Sequence, residues 1–499
     1  MISSADRRRF SCSSAVVFSA CVGLATVVAG SAIAMLSPTD WFSFALAESL
    51  LITTTVVALA LNSKLGKDSF SPLALTAIFY LVAFGVGGIY FWVSPGEFAN
   101  RYSSSDLTQA VLLANVGWLC LVSGYLLNPF KPISLILPSF PRTSASASVL
   151  WTIGPLLVVG WAARLGLVAT DRYFLYAQST EAASTGSSWL IAVAALLPTL
   201  AAAFIGARSF TSHAYQRQVL RRLYWVLIAI EVAWYVPSGA RTHVIGLGLM
   251  AAIVSYYGRG KRLPWRSIFV SAALLAFILF PIALEYRANK TTYREDPTLA
   301  LSRAAEKTFG SGMAGFFGSG FTATFSRFSD VTSLALILSR ERVPLGGSPT
   351  RTIRWIPEAF VPRAILKTKE DPGRIGNEFG AAYGLTTAGG GTSIAITQLG
   401  EVYLSFGLLG VLLGMPLIGG FYRLLGDYFS ERKRDGAILA VYAVTAWQLV
   451  NGQETIIALG LVAIVKIMLV FAFMIMVTTA IQRRRGMSGV PDRLRETAA

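Results

Sequence analysis

The chain has 499 residues, of which 54% are hydrophobic and only 14% are charged, and its mean hydropathy is +0.58. A water-soluble domain of this size does not need so much apolar surface, so the composition excludes an ordinary soluble protein and indicates that lipid is the solvent. The formal net charge of +17 could suggest nucleic acid as a partner. Most of this charge lies in alternate loops between apolar segments, which is a feature of membrane orientation, so we expect no nucleic acid partner.

Apolar windows of about 20 residues recur along the chain, and each is long enough to cross a hydrocarbon core of about 30 Å. Twelve are distinguishable: about 14–36, 42–62, 72–93, 107–128, 149–169, 188–207, 220–237, 242–257, 267–286, 395–421, 436–452 and 455–481. The eighth window is short and the eleventh is weak, so the pattern supports ten to twelve spans. Because lipid offers no partner to backbone groups, such spans must be helices unless they close into a barrel. The predicted fold class is all-α: a polytopic membrane helix bundle of about 12 transmembrane helices.

Basic residues predict the orientation of this bundle. With twelve spans, the N-terminus, the alternate loops and the C-terminal tail on one side hold 24 of the 43 basic residues. This is the positive-inside pattern, and it predicts that both termini lie in the cytoplasm. An alternative for the N-terminus is a cleaved signal peptide, with Arg7–Arg9 before the apolar run and Ala32-Ile33-Ala34 at the cleavage site.

One loop, predicted to lie on the outer side, is large enough for aqueous chemistry. Residues 287–394 contain fourteen basic and nine acidic residues, a net charge of +5 on the side where positive charge is normally scarce. Within it, residues 297–340 are predicted to be helical with a break around Gly310–Gly320, and residues 344–380 are rich in Pro and Gly and predicted to be irregular. The predicted organisation is spans one to nine in 1–287, the loop in 288–394, spans ten to twelve in 395–481 and a cytoplasmic tail in 482–499.

Several enzyme classes lack their motifs in this sequence. The two histidines are His213 and His243, and there is no His-Glu-x-x-His motif, no cysteine cluster and no nucleophile elbow, so we expect neither a zinc site nor a serine hydrolase. No Walker-type phosphate loop occurs either. We therefore predict no cofactor and no metal.

Cationic side chains recur on the predicted outer side, at the ends of spans and in the large loop. The planar guanidinium group of arginine fits the oxygens of phosphate and diphosphate, and lysine adds a point charge. A single arginine at a helix end commonly reaches lipid phosphates without specificity, but several on this side favour a specific polyanionic ligand. The candidate residues are Arg164, Arg241, Arg287, Arg351, Arg354, Arg363 and Lys369.

Three ionisable residues fall deeper inside predicted spans: Glu48, Glu231 and Lys466. Ionisable groups within a membrane are candidates for function by default. A buried pair between Glu231 and Lys466 would make both residues structural. The same groups would also suit the ion relay of a transporter, so they do not discriminate between function classes.

The segment "TQLGEVYLSFGLLG" (Thr397–Gly410) carries a carboxylate into an apolar window. On a helix, Thr397, Glu401 and Ser405 are spaced by four and share one face, which predicts a polar stripe leading from the outer surface into the bundle. Glu401 could pair with an arginine and fix the loop to the bundle, or it could accept a proton or orient sugar hydroxyls.

Two stretches resemble the Wzy-type polymerases of lipid-linked oligosaccharide repeat units, a family related to the O-antigen ligases. The first is "FVPRAILKTKEDPGRIGNEFGAAYG" followed by "TSIAITQLGEVYLSFGLLGVLLG", and the second is "SGARTHVIGLGL", which is similar to a Ser-Arg element of the ligases. Together they cover less than a quarter of the chain. Ser405 stands where the family usually has Asn, residues 366–370 lack the family's Trp and prolines, and the loop lacks the His of the ligases.

The resemblance implies a reaction at the outer face of a bacterial inner membrane, in which a glycan on a polyprenyl diphosphate is transferred to a new lipid-linked unit. It implies membrane lipid and a polyprenyl-diphosphate-linked oligosaccharide as partners, with a chain-length regulator and a flippase as further candidates. Under this hypothesis Glu401 or Glu378 is the general base. Diphosphate would be held by Arg241, Arg287, Arg363 and Lys369, assisted by Arg164, Arg351 and Arg354, and the sugar by Tyr403 and Asn377.

Three alternatives remain open. A secondary transporter or lipid-linked oligosaccharide flippase fits the many spans and the intramembrane charges, although it predicts short loops. An O-antigen ligase-like transferase is a related alternative. A structural subunit of an export machine would not need clustered arginines on its outer side.

Overall fold

Every element that the structure describes is a helix, in agreement with the predicted all-α class. Six of the described helices are long and apolar enough to cross a membrane, which supports a membrane protein. The total of twelve spans remains a prediction. The computed structural model describes residues 41–65, 67–94, 100–136, 148–170, 188–211, 214–238, 241–260, 270, 273, 275–289, 297–310, 312–325, 330–340, 350–358, 361, 366, 375–385, 394–430 and 436–484.

The six long apolar helices coincide with predicted windows. They are Trp41–Lys64, Pro72–Val93, Ser104–Leu127, Leu190–Phe210, Gln398–Phe429 and Ile457–Met474. Two further windows correspond to the shorter apolar helices Ile153–Ala169 and Thr242–Gly258. The predicted first span, about 14–36, and most of the predicted tail lie outside the described residues.

The described helices, in chain order, are α1 to α17. Up to residue 260 they are α1 (Trp41–Lys64), α2 (Pro72–Val93), α3 (Ser104–Leu127), α4 (Lys131–Ile136), α5 (Ser148–Ala169), α6 (Ser188–Thr211), α7 (Ala214–Ser238) and α8 (Arg241–Gly258). Beyond it they are α9 (Phe280–Asn289), α10 (Pro297–Gly310), α11 (Gly312–Phe325), α12 (Asp330–Ser339), α13 (Arg351–Glu358), α14 (Ile375–Ala382), α15 (Gln398–Ser430), α16 (Gly436–Glu454) and α17 (Ile457–Arg484). Residues Leu81–Val86 within α2 and Leu275–Leu279 before α9 are π-helical.

Capping residues explain where α2 and α3 begin. The side chain of Ser71 accepts a backbone N–H from the first turn of α2, and Pro72 occupies a position where a missing N–H costs nothing. Ser103 and Asp106 form a capping box, in which each side chain accepts the backbone N–H of the other residue. Helix α3 ends at Asn128, which adopts the left-handed conformation.

Helices α3 and α15 pack with their backbones in direct contact. A Cβ atom added at Gly124 would lie 1.9 Å from the carbonyl oxygen of Pro416, and one added at Gly419 would lie 1.9 Å from that of Leu121. Only glycine fits at such crossing points, which are typical of closely packed membrane helices.

An ion cluster holds the C-terminal ends of these two helices together. The carboxylate of Asp427 accepts hydrogen bonds from Lys67 at 2.7 Å and from Arg423 at 2.8 Å. The side-chain amide of Asn128, just after α3, donates to the same carboxylate at 3.2 Å. The cluster therefore joins the chain before α2, the end of α3 and the end of α15.

The segment predicted as a large loop contributes a helix to the interior of the bundle. Helix α12 is buried along most of its length and packs against α3, with further contacts to α2 and α15. Its Leu334 and Ile337 belong to the same hydrophobic core as the side chains of α3. Apolar burial thus holds the middle of this segment against the membrane helices, so it is not wholly an aqueous loop.

The prediction of helix in residues 297–340 is confirmed for the part that the structure describes. Helices α10, α11 and α12 occupy it. The break is narrower than predicted: α10 ends at Gly310, and α11 begins at Gly312, whose φ of +71° suits a residue without a side chain. The stretch predicted to be irregular contains α13 and the start of α14.

Candidate functional site

Helix α15 is not one straight helix, because its backbone reverses at Gly407. This residue has φ 64° and ψ −149°, a combination that only glycine adopts readily. A Cβ atom added at Gly410 would lie 2.2 Å from the carbonyl oxygen of Val402, and the hydroxyl of Tyr422 donates to Oε1 of Gln398 at 2.8 Å. In a continuous helix, residues 402 and 410 would be about 12 Å apart along the axis, and residues 398 and 422 would be about 36 Å apart.

The reversal divides α15 into a short arm (398–406) and a long arm (408–430). The short arm folds back along the long arm, so this element is a helical hairpin rather than a single span of its full length. The three residues of the predicted polar stripe therefore lie on the short arm, at Glu401 and Ser405, and directly before it, at Thr397. Irregular backbone of this kind is tolerated within a membrane only where protein or a cavity surrounds it.

Thr397 ends the loop that leads into the short arm, in a strained conformation. It is buried and has a φ of 65°, which is unusual for a β-branched residue. Its hydroxyl accepts the backbone N–H of Gly400 at 3.0 Å, and its own N–H donates to the carbonyl of Glu454 at 3.3 Å. These bonds hold the short arm against the turn between α16 and α17.

Glu401 is buried against the start of α17. Its side chain is 2% exposed, and its Oε2 accepts the backbone N–H of Ile457, the first residue of that helix. A carboxylate in this position satisfies an unpaired backbone donor and interacts favourably with the helix dipole. The contact gives Glu401 a structural role in joining α15 to α17, and its role as a base stays a prediction.

An apolar groove of about 700 Å³ lies beside both arms of α15. It is bounded by residues of α13, α15 and α17, together with Phe130. Its polar positions are Gln398, Glu401, Ser405 and Tyr422. A groove of this volume and lining can hold a hydrocarbon chain.

Helix α13 places an ion pair between an arginine and a glutamate near this groove. Arg351 donates to both carboxylate oxygens of Glu378, at 2.8 Å and 3.3 Å. Its guanidinium carbon also lies 5.0 Å from the ring centroid of the buried Trp355. Ile353 and Ile356 of the same helix line the groove.

The other predicted site residues near this region are dispersed. Arg354 is exposed on α13, while Asn377 is buried in α14, next to Glu378. Tyr403 is half-buried on the short arm. The end of α14 is tied to the start of α3, because Arg101 donates to the carbonyl of Gly384.

Arg164 is fully buried at a helix junction away from the groove. Its guanidinium group donates to both oxygens of Glu231, each at 2.7 Å, and its Nε donates to the carbonyl of Ala194 at 3.0 Å. The rings of Trp161 and Trp234 lie on the guanidinium carbon, with centroids at 4.7 Å and 4.8 Å. This arrangement joins α5, α6 and α7 and leaves the guanidinium group without solvent exposure.

The predicted pair between Glu231 and Lys466 is wrong. Glu231 is bound by Arg164 and also accepts the hydroxyl of Thr199 at 3.2 Å, whereas Lys466 is exposed on α17. Glu231 and Lys466 both lie inside apolar segments, as predicted, but hydropathy does not indicate which face of a helix contacts which neighbouring helix.

The remaining predicted cations lie at the ends of α8 and α9 or outside the described residues. Arg241 is the first residue of α8, and Arg287 lies in the last turn of α9. The structure describes their backbone and not the positions of their side chains. Arg363 and Lys369 lie outside the described residues.

Sequence reasoning missed several residues of the groove. Ile353 and Ile356 are three apart, as are Arg351 and Arg354, so α13 has two distinct faces. That spacing is a visible signal of an amphipathic helix. The bond between Gln398 and Tyr422 had no such signal, since it depends on the reversal at Gly407.

The arrangement combines an apolar groove, a helix with two arginines and a carboxylate, which together suit a lipid with an anionic head group. Among the described residues, no group of three or more His, Cys, Asp or Glu side chains could hold a metal ion. In comparisons with known proteins, no family model, no curated protein and no solved structure matches the chain.

Proposed function

We propose that the protein polymerises polyprenyl-diphosphate-linked oligosaccharide repeat units at the outer face of a bacterial inner membrane, with both termini in the cytoplasm. The growing glycan is transferred from its lipid to a hydroxyl group on a new lipid-linked unit. The bond between the anomeric carbon and the diphosphate breaks, a bond to the acceptor oxygen forms, and a base takes the hydroxyl proton. The protein is then a glycosyltransferase of surface or secreted polysaccharide synthesis.

The observation that carries this proposal is the position of α13 beside the groove. Ile353 and Ile356 line the apolar groove, and Arg351 and Arg354 lie on the same short helix. A ligand with a long hydrocarbon chain and a diphosphate head group matches both features, because guanidinium groups pair with phosphate oxygens and an apolar groove receives the chain.

Solvent access favours Glu378 over Glu401 as the general base. Glu378 is partly exposed, with 38% of its side chain accessible, whereas Glu401 is buried and occupied by the backbone of Ile457. Both oxygens of Glu378 accept hydrogen bonds from Arg351, so in this proposal Arg351 turns to the diphosphate before Glu378 takes the proton. In this proposal Glu401 positions the short arm. Arginine neutralises the charge that develops on the leaving diphosphate, so the reaction needs no nucleotide. Arg241, Arg287, Arg363 and Lys369 complete the diphosphate site, and Tyr403 and Asn377 contact sugar.

The decisive experiment supplies the purified full-length protein, in detergent, with a lipid-diphosphate oligosaccharide and without nucleotide or added metal. We expect a ladder of polymers. The Glu378→Gln variant should lose roughly 100-fold or more in rate, since general base catalysis commonly contributes that much. The matched control is Glu306→Gln, which removes a carboxylate from an exposed pair with Arg303 and should leave the ladder unchanged.

Two results would contradict the proposal. An unchanged substrate with wild-type protein would exclude the polymerase reaction under these conditions. A full ladder with Glu378→Gln would exclude Glu378 as the base, and Glu401→Gln would then be the next variant to assay.

A secondary transporter or flippase is the second candidate, and the reversal at Gly407 is the observation that favours it. Discontinuous helices form the binding sites of many transporters. This function predicts that proteoliposomes move the lipid-linked oligosaccharide between leaflets without changing its length. A ligase-like transferase would instead give one elongated product rather than a ladder.

A further inference from the structure

Glu48 in α1 is a buried carboxyl group at the junction of α1, α2 and α3. It is 3% exposed, and neither of its oxygens has a hydrogen-bonding partner among the described residues. A Cβ atom added at Gly88 would lie 2.0 Å from Oε1, and one added at Gly85 would lie 3.6 Å from Oε2. Two glycines of α2 therefore make the space that the carboxyl group fills.

A second orphaned acceptor lies at the same junction. Asn115 of α3 is fully buried, and its side-chain N–H groups donate to the carbonyls of Ala47 and Val111, at 3.1 Å and 3.0 Å. Its Oδ1 has no partner among the described residues. Opposite it, α2 contains the π-helical turn Leu81–Val86, a departure from regular helix that is frequent at functional sites.

The junction therefore holds three acceptor oxygens that lack a donor among the described residues. An ionised carboxylate without a partner is strongly disfavoured in an apolar interior, so it must take up a proton or bind a cation. Hard cations usually take six or more oxygen ligands, whereas the other side chains within 4 Å of a Cβ atom added at Gly85 or Gly88 are the apolar Leu51, Leu81 and Val111. A single proton makes Glu48 a donor, for which Oδ1 of Asn115 is the unpaired acceptor.

We propose that Glu48 is a membrane-embedded proton-binding site, whose neutral carboxyl group closes the junction of α1, α2 and α3 and whose deprotonation opens it. An aromatic cluster lies one helical turn away, where the ring of Phe44 stacks on that of Trp92 at 4.2 Å and Trp41 lies 5.8 Å from Trp92. This cluster covers the junction on the side where α1 begins.

On α2 and α3, the described helices that pack against α1, no positively charged residue competes with a proton. α1 packs against α2 and α3, and neither of these helices contains Lys, Arg or His. Their titratable residues are Tyr80, Tyr90, Asp106, Cys120 and Tyr125. Asp106 is held in the first turn of α3 by the capping box with Ser103, about 13 Å along the helix axis from Asn115.

Infrared spectroscopy of the purified full-length protein tests the proposal. At neutral pH, the difference between wild type and Glu48→Gln should show the carbonyl band of a protonated carboxylic acid. Carboxylate bands in that difference would overturn the proposal, and carboxylate bands that respond to sodium would point to a cation site instead. The control is Glu285→Gln, which should show carboxylate bands because Glu285 pairs with Lys307 at 2.7 Å.

A pH series of thermal unfolding keeps the proposal testable even if Glu48→Gln fails to fold. The folded state holds one proton more than the unfolded state, so the folding equilibrium constant of wild type should fall about tenfold per pH unit above neutral, until the group ionises. The acid carbonyl band should disappear over the same range. Wild-type stability that does not decline, or a band that persists through the decline, would overturn the proposal.

Discussion

At the scale of single residues, the interior of this protein contains a satisfied charge pair and an unsatisfied acid. Arg164 makes five polar or aromatic contacts with Glu231, Ala194, Trp161 and Trp234. Glu48 makes none with a hydrogen-bond donor among the described residues. Hydropathy places both Glu231 and Glu48 inside apolar segments. Their environments differ, because Glu231 is paired with an arginine and Glu48 has no hydrogen-bond donor among the described residues. The environment of a buried ionisable group is therefore determined by its partner and not by its depth in the protein.

The Arg164→Met variant tests the structural role of the pair. It leaves Glu231 buried without its partner, so the free energy of unfolding should fall by roughly 3–5 kcal/mol. The comparison is Lys307→Met, which breaks an exposed pair and should cost about 1 kcal/mol or less. Both are measured by chemical unfolding in detergent.

A double variant separates structure from ligand binding at Arg164. Arg164→Met with Glu231→Met removes both charges, so it should recover most of the lost stability. Recovery of polymer synthesis together with stability would confirm the structural role. A stable but inactive double variant would support the predicted contact of Arg164 with diphosphate instead.

At the scale of elements, the hairpin of α15 defines the shape of the candidate site. The short arm is held at Thr397 and Glu401 by the turn between α16 and α17, and at Gln398 by the long arm. One residue, Gly407, permits the reversal that brings these contacts together. The groove lies beside both arms, so the geometry of the site depends on this turn.

The Gly407→Ala variant should destabilise the protein by about 1–3 kcal/mol, because alanine is strained at φ 64° and ψ −149°. The control is Gly248→Ala, in α8, where an added Cβ meets nothing within 4 Å and alanine favours the helix. Thermal unfolding of the two variants gives the comparison. Equal or greater stability of Gly407→Ala would mean that α15 runs straight.

At the scale of the whole molecule, the long apolar helices could be predicted from composition. The placement of α12 and the reversal at Gly407 could not, because they depend on contacts between distant segments of the chain. Apolar windows located the six long helices, because the bilayer sets their length, although the tenth window, about 395–421, ends well before the helix does at Phe429. Leu334 and Ile337 of α12 were assigned to an outer loop, because a ten-residue apolar helix is too short to register as a span. The reversal at Gly407 lay in a continuous apolar run, so periodicity carried no sign of it.

The predicted orientation is testable with single cysteines at the two ends of α3, after replacement of Cys12, Cys21 and Cys120. The end at Lys131 lies near the basic residues Lys67 and Arg423, so the positive-inside rule places it in the cytoplasm. A membrane-impermeant thiol reagent should label Ser104→Cys in intact spheroplasts and Lys131→Cys only after lysis. The opposite pattern would reverse the topology.

The bond between Glu401 and the start of α17 also constrains the order of assembly during synthesis. The carboxylate and its partner at Ile457 are 56 residues apart in the chain, so the short arm leaves the ribosome well before the backbone N–H that it binds. Until α16 and α17 have been made, an acidic half-helix has no place in the bilayer. We therefore expect the hairpin of α15 to be completed only after the start of α17 has been made.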